Sequence, residues 1–218
     1  MYNDAFVGRE RELTKLDKMY SSKKQNVALI YGRRRVGKSE LIKHFIQKYD
    51  HDAVYYECKQ TTELNNVSSL STLISEKFSL PPLAFSGIEE LLEFMFKQAC
   101  EKKILLVLDE YPYLQKTVTG LDSILQSLID RYMSKSQMKL IICGSFVETM
   151  KKLLLRHNPL YGRVSLVLNL KPMNYLESAK FYPSFSNEDK VRLYSVLGGI
   201  PYYRSEERRV GKECRSRW

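Results

Sequence analysis

The chain has 218 residues, of which 44% are hydrophobic and 28% charged, with a formal net charge of +10. A chain of this size can bury one substantial core, or one large domain with a small satellite. Its basic balance suits an anionic partner, although solvated lysines alone give the same value, and no segment approaches the roughly 20 apolar residues of a membrane span, which excludes membrane-spanning classes and makes a cytoplasmic location the expectation.

The opening "MYNDAFVGRERE" lacks the apolar stretch of a signal peptide. The first predicted strand is the apolar run 27–31, "VALIY", and it feeds directly into Gly32-Arg33-Arg34-Arg35-Val36-Gly37-Lys38-Ser39. That segment is a full G-x-x-x-x-G-K-[ST] pattern. Its glycines let backbone N–H groups turn inward, its lysine reaches the outer phosphates of a nucleotide, and its Ser hydroxyl meets Mg²⁺. A helix, "KSELIKHFIQKY", begins at the loop, so its free N–H groups and dipole face the same phosphates. The candidate nucleotide contacts are therefore Gly32, Arg35, Val36, Gly37, Lys38 and Ser39, with Glu40 at the helix start; the triple arginine Arg33 to Arg35 is read as facing phosphate or solvent.

A second strand is predicted at 53–57, "AVYYE". The stretch 79–87, "SLPPLAFSG", joins two helical patterns and should bend sharply, because Pro81 and Pro82 lack backbone donors. Ile88, Leu91, Leu92, Met95, Phe96 and Ala99 then recur at helical spacing and predict a core-facing stripe. The third strand, 104–109, ends in Asp109 and Glu110, which places two carboxylates at the carboxyl edge of a sheet. Asp109 is positioned to hold Mg²⁺ through its water shell together with Ser39, as in a Walker B arrangement, and Glu110 to act as general base on the attacking water.

A second helical stripe runs from Leu121 through Leu125, Leu128 and Ile129 to Tyr132, and a fourth strand is predicted at 139–144. Ser145 follows it as a candidate sensor of the γ-phosphate, with Gly144 allowing close backbone approach. The fifth strand is predicted at 164–170, and the segment 174–199 reads as short helices. Strands alternating with helices predict an α/β fold, a five-stranded mainly parallel sheet covered on both faces, with a C-terminal helical satellite. The expected organisation is a nucleotide domain over 1–172 and the start of a helical region over 173–203.

The last fifteen residues, "RSEERRVGKECRSRW", contain "RRVGKEC", an echo of "RRVGKSE" at 34–40. The echo lacks the first glycine (Glu206 stands there), the hydroxyl (Glu213) and a preceding strand. With suitable codons the fifteen residues back-translate without a gap into a common sequencing-adapter strand, so 204–218 is expected to be non-native and the native chain to continue past Tyr203. The tail carries six basic and three acidic residues, so setting it aside takes the net charge from +10 to +7. Of the cysteines, Cys58, Cys100 and Cys143 remain; they and His44, His51 and His157 lack the spacing of a zinc site, so Mg²⁺ carried by ATP is the one metal expected.

Taken in order, "FVGRERE" (6–12), "GRRRVGKS" (32–39), "LLVLDEYPYL" (105–114), "LIICGS" (140–145), "PLYGR" (159–163) and "GGIPYY" (198–203) resemble the archaeal-type ATPase family, in the STAND class of AAA+-related P-loop NTPases. The resemblance implies that Phe6, Val7, Gly8 and Arg9 pack near adenine, and that Arg163 reaches a γ-phosphate, commonly across a subunit boundary. It also implies that Pro201 senses which nucleotide is bound and links the site to a winged-helix region. Three functions stay open at this point. The chain reads first as an ATP-hydrolysing molecular switch with Mg²⁺ as cofactor; second as a DNA-associated remodelling or loading ATPase, with DNA bound through a further C-terminal domain; third as a nucleotide-binding scaffold without turnover, against which an intact Glu110 speaks. Self-association is the partner reading that an Arg163 acting between subunits would require.

Overall fold

The computed structural model describes residues 6–203; the tail set apart above lies outside the described residues. Among these, five strands form one sheet: β1 (Asn26–Tyr31), β2 (Ala53–Glu57), β3 (Ile104–Asp109), β4 (Met138–Gly144) and β5 (Leu166–Asn169). Their order is β2-β3-β4-β1-β5, and every pairing is parallel, so the sheet is wholly rather than mainly parallel. Strands β2 and β3 begin and end where the sequence predicts. Strand β5 is shorter than the predicted 164–170, because it pairs with β1 alone at the sheet edge and leaves Val167 41% exposed.

Side chains alternate across the sheet and create two apolar layers. On one face Ala28, Ile30, Leu105, Val107 and Ile141 pack with residues of α1 (Glu10–Ser21) and α2 (Lys38–Gln47). On the other, Leu29, Leu106, Leu108, Leu140 and Ile142 pack beneath α3 (Glu63–Phe78), α4 (Ile88–Glu101), α5 (Tyr111–Thr117), α6 (Leu121–Tyr132) and α7 (Val147–Lys152). The six apolar residues of the α4 stripe are all buried, as the 3.6-residue spacing requires. Helices α5 and α7 are too short to show a period, which is why the sequence reading passes over them.

Between α3 and α4 the chain bends as its prolines dictate. Ser79 caps α3 in the left-handed region at φ 52°, and the amides of Leu80 and Leu83 donate to the carbonyl and hydroxyl of Ser75. After β5, α8 (Tyr175–Ala179) opens on a reciprocal cap between Asn174 and Glu177, and α9 (Asn187–Leu197) on a Ser186 cap. These helices are tied down by Gly199. A Cβ there would come within 1.9 Å of the Met173 carbonyl oxygen, and the Met173 amide donates to the Gly199 carbonyl at 2.7 Å.

Candidate nucleotide site

The loop after β1 is shaped by three positions, one without room for a side chain and two in the left-handed region. At Gly32 a Cβ would lie 2.3 Å from the Leu170 carbonyl oxygen, so the residue just after β5 fixes the first glycine. Arg35 and Gly37 then take positive φ, 68° and 88°, turning the chain so that α2 can begin at Lys38. The Lys38 ammonium folds back into the loop and donates to the carbonyls of Gly32 at 3.1 Å and Arg33 at 3.2 Å. A cation thus sits inside a ring of backbone, beside the first-turn amides of α2 (Lys38, Ser39 and Glu40), which a helix leaves without partners of its own. The Glu40 side chain itself points to solvent toward Lys43.

Strand β3 delivers its terminal acids to this loop. Asp109 is 1% exposed, and its Oδ2 accepts hydrogen bonds from Ser39 Oγ at 2.7 Å and from the Tyr55 hydroxyl at 2.5 Å. Its Oδ1 accepts from the Glu110 amide at 2.9 Å. Burial alone would raise the Asp109 carboxyl; the donors Tyr55, Ser39, Cys143 and the Glu110 amide outweigh it and hold the group below the usual carboxylate range. Burial and the Asp109 charge push the Tyr55 phenol the other way, upward, so it stays a neutral donor.

Glu110 leaves the strand in the left-handed region, at φ 50°, a conformation that costs a non-glycine residue on the order of 1 kcal/mol. The turn aims its carboxylate at the end of β4, where it accepts from Ser145 Oγ at 2.6 and 2.9 Å and from the Ser145 amide at 3.3 Å. Gly144 makes this approach possible, since a Cβ there would lie 2.7 Å from Met150 Sδ and 2.9 Å from Pro112 Cδ. The general-base and sensor candidates are therefore in direct contact, a pairing that neither strand reveals alone.

The N- and C-terminal motifs both close on the loop. Phe6 stacks on His44 of α2, with ring centroids 4.3 Å apart and planes 7° apart. Val7 is partly buried; Gly8 takes φ 75°; Arg9 is buried and donates to the carbonyls of Val36 at 3.2 Å and Lys171 at 2.6 Å. From the other end Pro201 approaches Gly37, 3.8 Å from where a Cβ would stand. The Arg35 guanidinium lies 4.5 Å from the Tyr202 ring centroid and 5.5 Å from that of Tyr203, and donates to the Tyr203 hydroxyl at 3.3 Å.

Arg163 is not brought to this loop. It precedes β5 at the opposite, amino edge of the sheet, where it holds Asp130 through two hydrogen bonds of 2.8 and 2.6 Å and the carbonyls of Pro159 and Tyr161 at 3.1 Å each. Tyr55 is the contact that sequence reading misses: nothing in "AVYYE" distinguishes it from a tyrosine that only packs.

Ser39 and Asp109 suit magnesium, a hard cation that takes oxygen ligands and keeps several waters beside substrate phosphates. Among the described residues no group of three or more His, Cys, Asp or Glu side chains converges as an all-protein metal cage, and no helix is long and apolar enough to cross a membrane.

The sequence pattern of a family described as an ATPase domain predominantly from Archaea matches residues 6–206. An uncharacterized protein of Methanocaldococcus jannaschii is 31% identical over 199 residues, covering 91% of this chain and 43% of its own length. An uncharacterized ATP-binding protein of the same organism is 48% identical over 42 residues, 19% of this chain and 71% of its own. Among solved structures, the Walker-type ATPase of Pyrococcus abyssi superposes with a TM-score of 0.70 at 21% identity, over 91% of this chain and 65% of that one. The Aeropyrum pernix ORC1 protein in complex with DNA gives 0.60 at 18% identity, over 94% and 50%. The chain thus spans under half of its longer relative and shares the P-loop ATPase fold with these structures. It belongs to the family of ATPase domains found predominantly in Archaea.

Proposed function

We propose that this ATPase domain is a magnesium-dependent switch, in which the state of the nucleotide is passed from the phosphate loop to the segment 199–203. The observation that carries the reading is the seat of Pro201 over Gly37 with Arg35 stacked on Tyr202 and Tyr203. A change in loop geometry on binding or losing the outer phosphate is felt directly by this segment.

Lys38 and the first-turn amides of α2 bind the phosphates; entering phosphate oxygens replace the carbonyls that now hold the ammonium. Ser39 and Asp109 would hold the metal, which when bound neutralises charge on the outer phosphates. Glu110 takes the proton of the attacking water. Ser145 now donates to Glu110; in this reading a γ-phosphate competes for that hydroxyl and frees the carboxylate, so the base is armed when ATP is present. Phe6, with His44 behind it, supplies the flat apolar surface for adenine.

Glu110→Gln tests the reading, because it keeps the shape and removes the base. It should bind ATP within about threefold of wild type and hydrolyse it at least about a hundredfold more slowly; unchanged turnover would place the base elsewhere. Two narrower readings concern partners. Net positive charge and the fold shared with a DNA-bound protein support DNA contact, which a steep fall of DNA affinity with salt would bear out and an absence of binding at low salt would oppose. An Arg163 that reaches a neighbouring chain's nucleotide would first have to leave Asp130.

A further inference from the structure

Tyr55 has no place in the phosphate-loop motif or the acidic motif, yet it makes one of the shortest hydrogen bonds of the site. Register explains how it gets there. Glu57 of β2 faces Asp109 of β3 and Tyr55 faces Val107, so Tyr55 lies on the same sheet face as Asp109, under α2, two residues before the strand ends. From that point its ring reaches forward, with Lys43 Nζ of α2 5.7 Å from the ring centroid, and its hydroxyl arrives 2.5 Å from Asp109 Oδ2.

The lone pairs of Asp109 can then be counted. Oδ2 accepts from both Ser39 and Tyr55, and Oδ1 accepts from the Glu110 amide. Each carboxylate oxygen has two acceptor sites, so Oδ2 is filled, and Oδ1 has one left, which a metal's water shares with the weak Cys143 thiol donor. A carboxylate held in this way cannot swing to grip a cation with both oxygens; it offers one direction of approach, suited to a water of a magnesium shell.

We propose that Tyr55 is a positioning residue for the metal: it occupies the second acceptor site of Asp109 Oδ2 and so fixes the carboxylate to serve Mg²⁺ through water, together with Ser39. The inference rests on the magnesium reading above. Outer partners of this kind orient a metal's ligands, and losing one typically costs about ten- to a hundredfold in metal affinity or activity.

The test is Tyr55→Phe, which keeps the ring and its packing and removes the hydroxyl alone. Binding of a non-hydrolysable ATP analogue is measured by calorimetry with Mg²⁺ and with a chelator, in wild type and variant, with the thermal midpoint of each protein as a check on folding. Magnesium should strengthen analogue binding in wild type, and this gain should fall by about tenfold in Tyr55→Phe, while metal-free affinity stays within about twofold. A merely structural tyrosine would weaken both affinities together, and that result, or an equal magnesium gain in the two proteins, would overturn the proposal. Should Tyr55→Phe not fold, exchanging Mg²⁺ for Mn²⁺ in wild type gives a second measurement: ordered water between Mn²⁺ and Asp109, seen by electron–nuclear double resonance, is expected, and direct carboxylate ligation would overturn it. No magnesium gain in wild type would instead remove the magnesium reading and this inference with it.

Discussion

Glu110 and Lys38 illustrate how single residues in this site are held in states that a nucleotide would change. Glu110 is placed in a left-handed turn and clamped to Ser145; Lys38 is buried and bonded to its own loop's carbonyls. Gly32 sets the frame for both, because the Leu170 carbonyl occupies the space a side chain would need. Gly32→Ala should therefore lower stability by about 1–3 kcal/mol, as overpacking does, and weaken ATP binding with it; a urea unfolding curve superposable on wild type would show that the chain at Leu170 has room to give. At this scale the sequence speaks for Gly32, Gly37, Lys38, Ser39 and Asp109, whose residue types are dictated by phosphate chemistry. It is silent on Tyr55 and on the Glu110–Ser145 contact, since both depend on register between strands that lie far apart in the chain.

Strands β1 and β4 form the central pair that carries the loop and Ser145, and their amino ends are fastened by an unusual bolt. Lys139 is wholly buried and donates to the Lys24 carbonyl and to Asn26 Oδ1, Asn26 being its partner in the strand register. Burial, aided by the nearby Lys103 charge, pulls its ammonium down from 10.5 to about 8. Below the lower value the folded and unfolded chains both hold the proton; between the two values only the unfolded chain does, so stability rises with pH across that window. The stability of wild type relative to Lys139→Met should accordingly shift in favour of wild type between pH 7.5 and 10, each pH being that of the measuring buffer, at roughly 1.4 kcal/mol per pH unit in the steepest part. Chemical unfolding of both proteins across the window checks this; a difference that does not change with pH would mean the lysine keeps its ordinary affinity for protons. Elements as such were legible where periodicity had room to show, in α4, α6 and the buried strands. The short α5 and α7, which frame Glu110 and Ser145, were not, because six or seven residues cannot display a helical period.

Across the whole molecule the polar clusters gather at the two opposite edges of the sheet. The carboxyl edge gathers the loop, the acids and both terminal motifs, with Arg9 reaching Val36 from one side and Pro201 and the tyrosine pair closing from the other. At the amino edge lie Arg163 with Asp130, and Lys139. The order of motifs along the chain exposes the first edge to a reader of sequence, whereas the placing of Arg163 follows from the parallel topology and becomes visible only once the strands are aligned. Everything proposed for the carboxyl edge depends on the Lys38 ammonium and the α2 amides gripping a triphosphate. Calorimetric titration of wild type and Lys38→Ala with MgATP tests this most directly: the account predicts saturable binding near one nucleotide per chain in wild type and none measurable in a folded Lys38→Ala protein, and equal affinity in the two would contradict it.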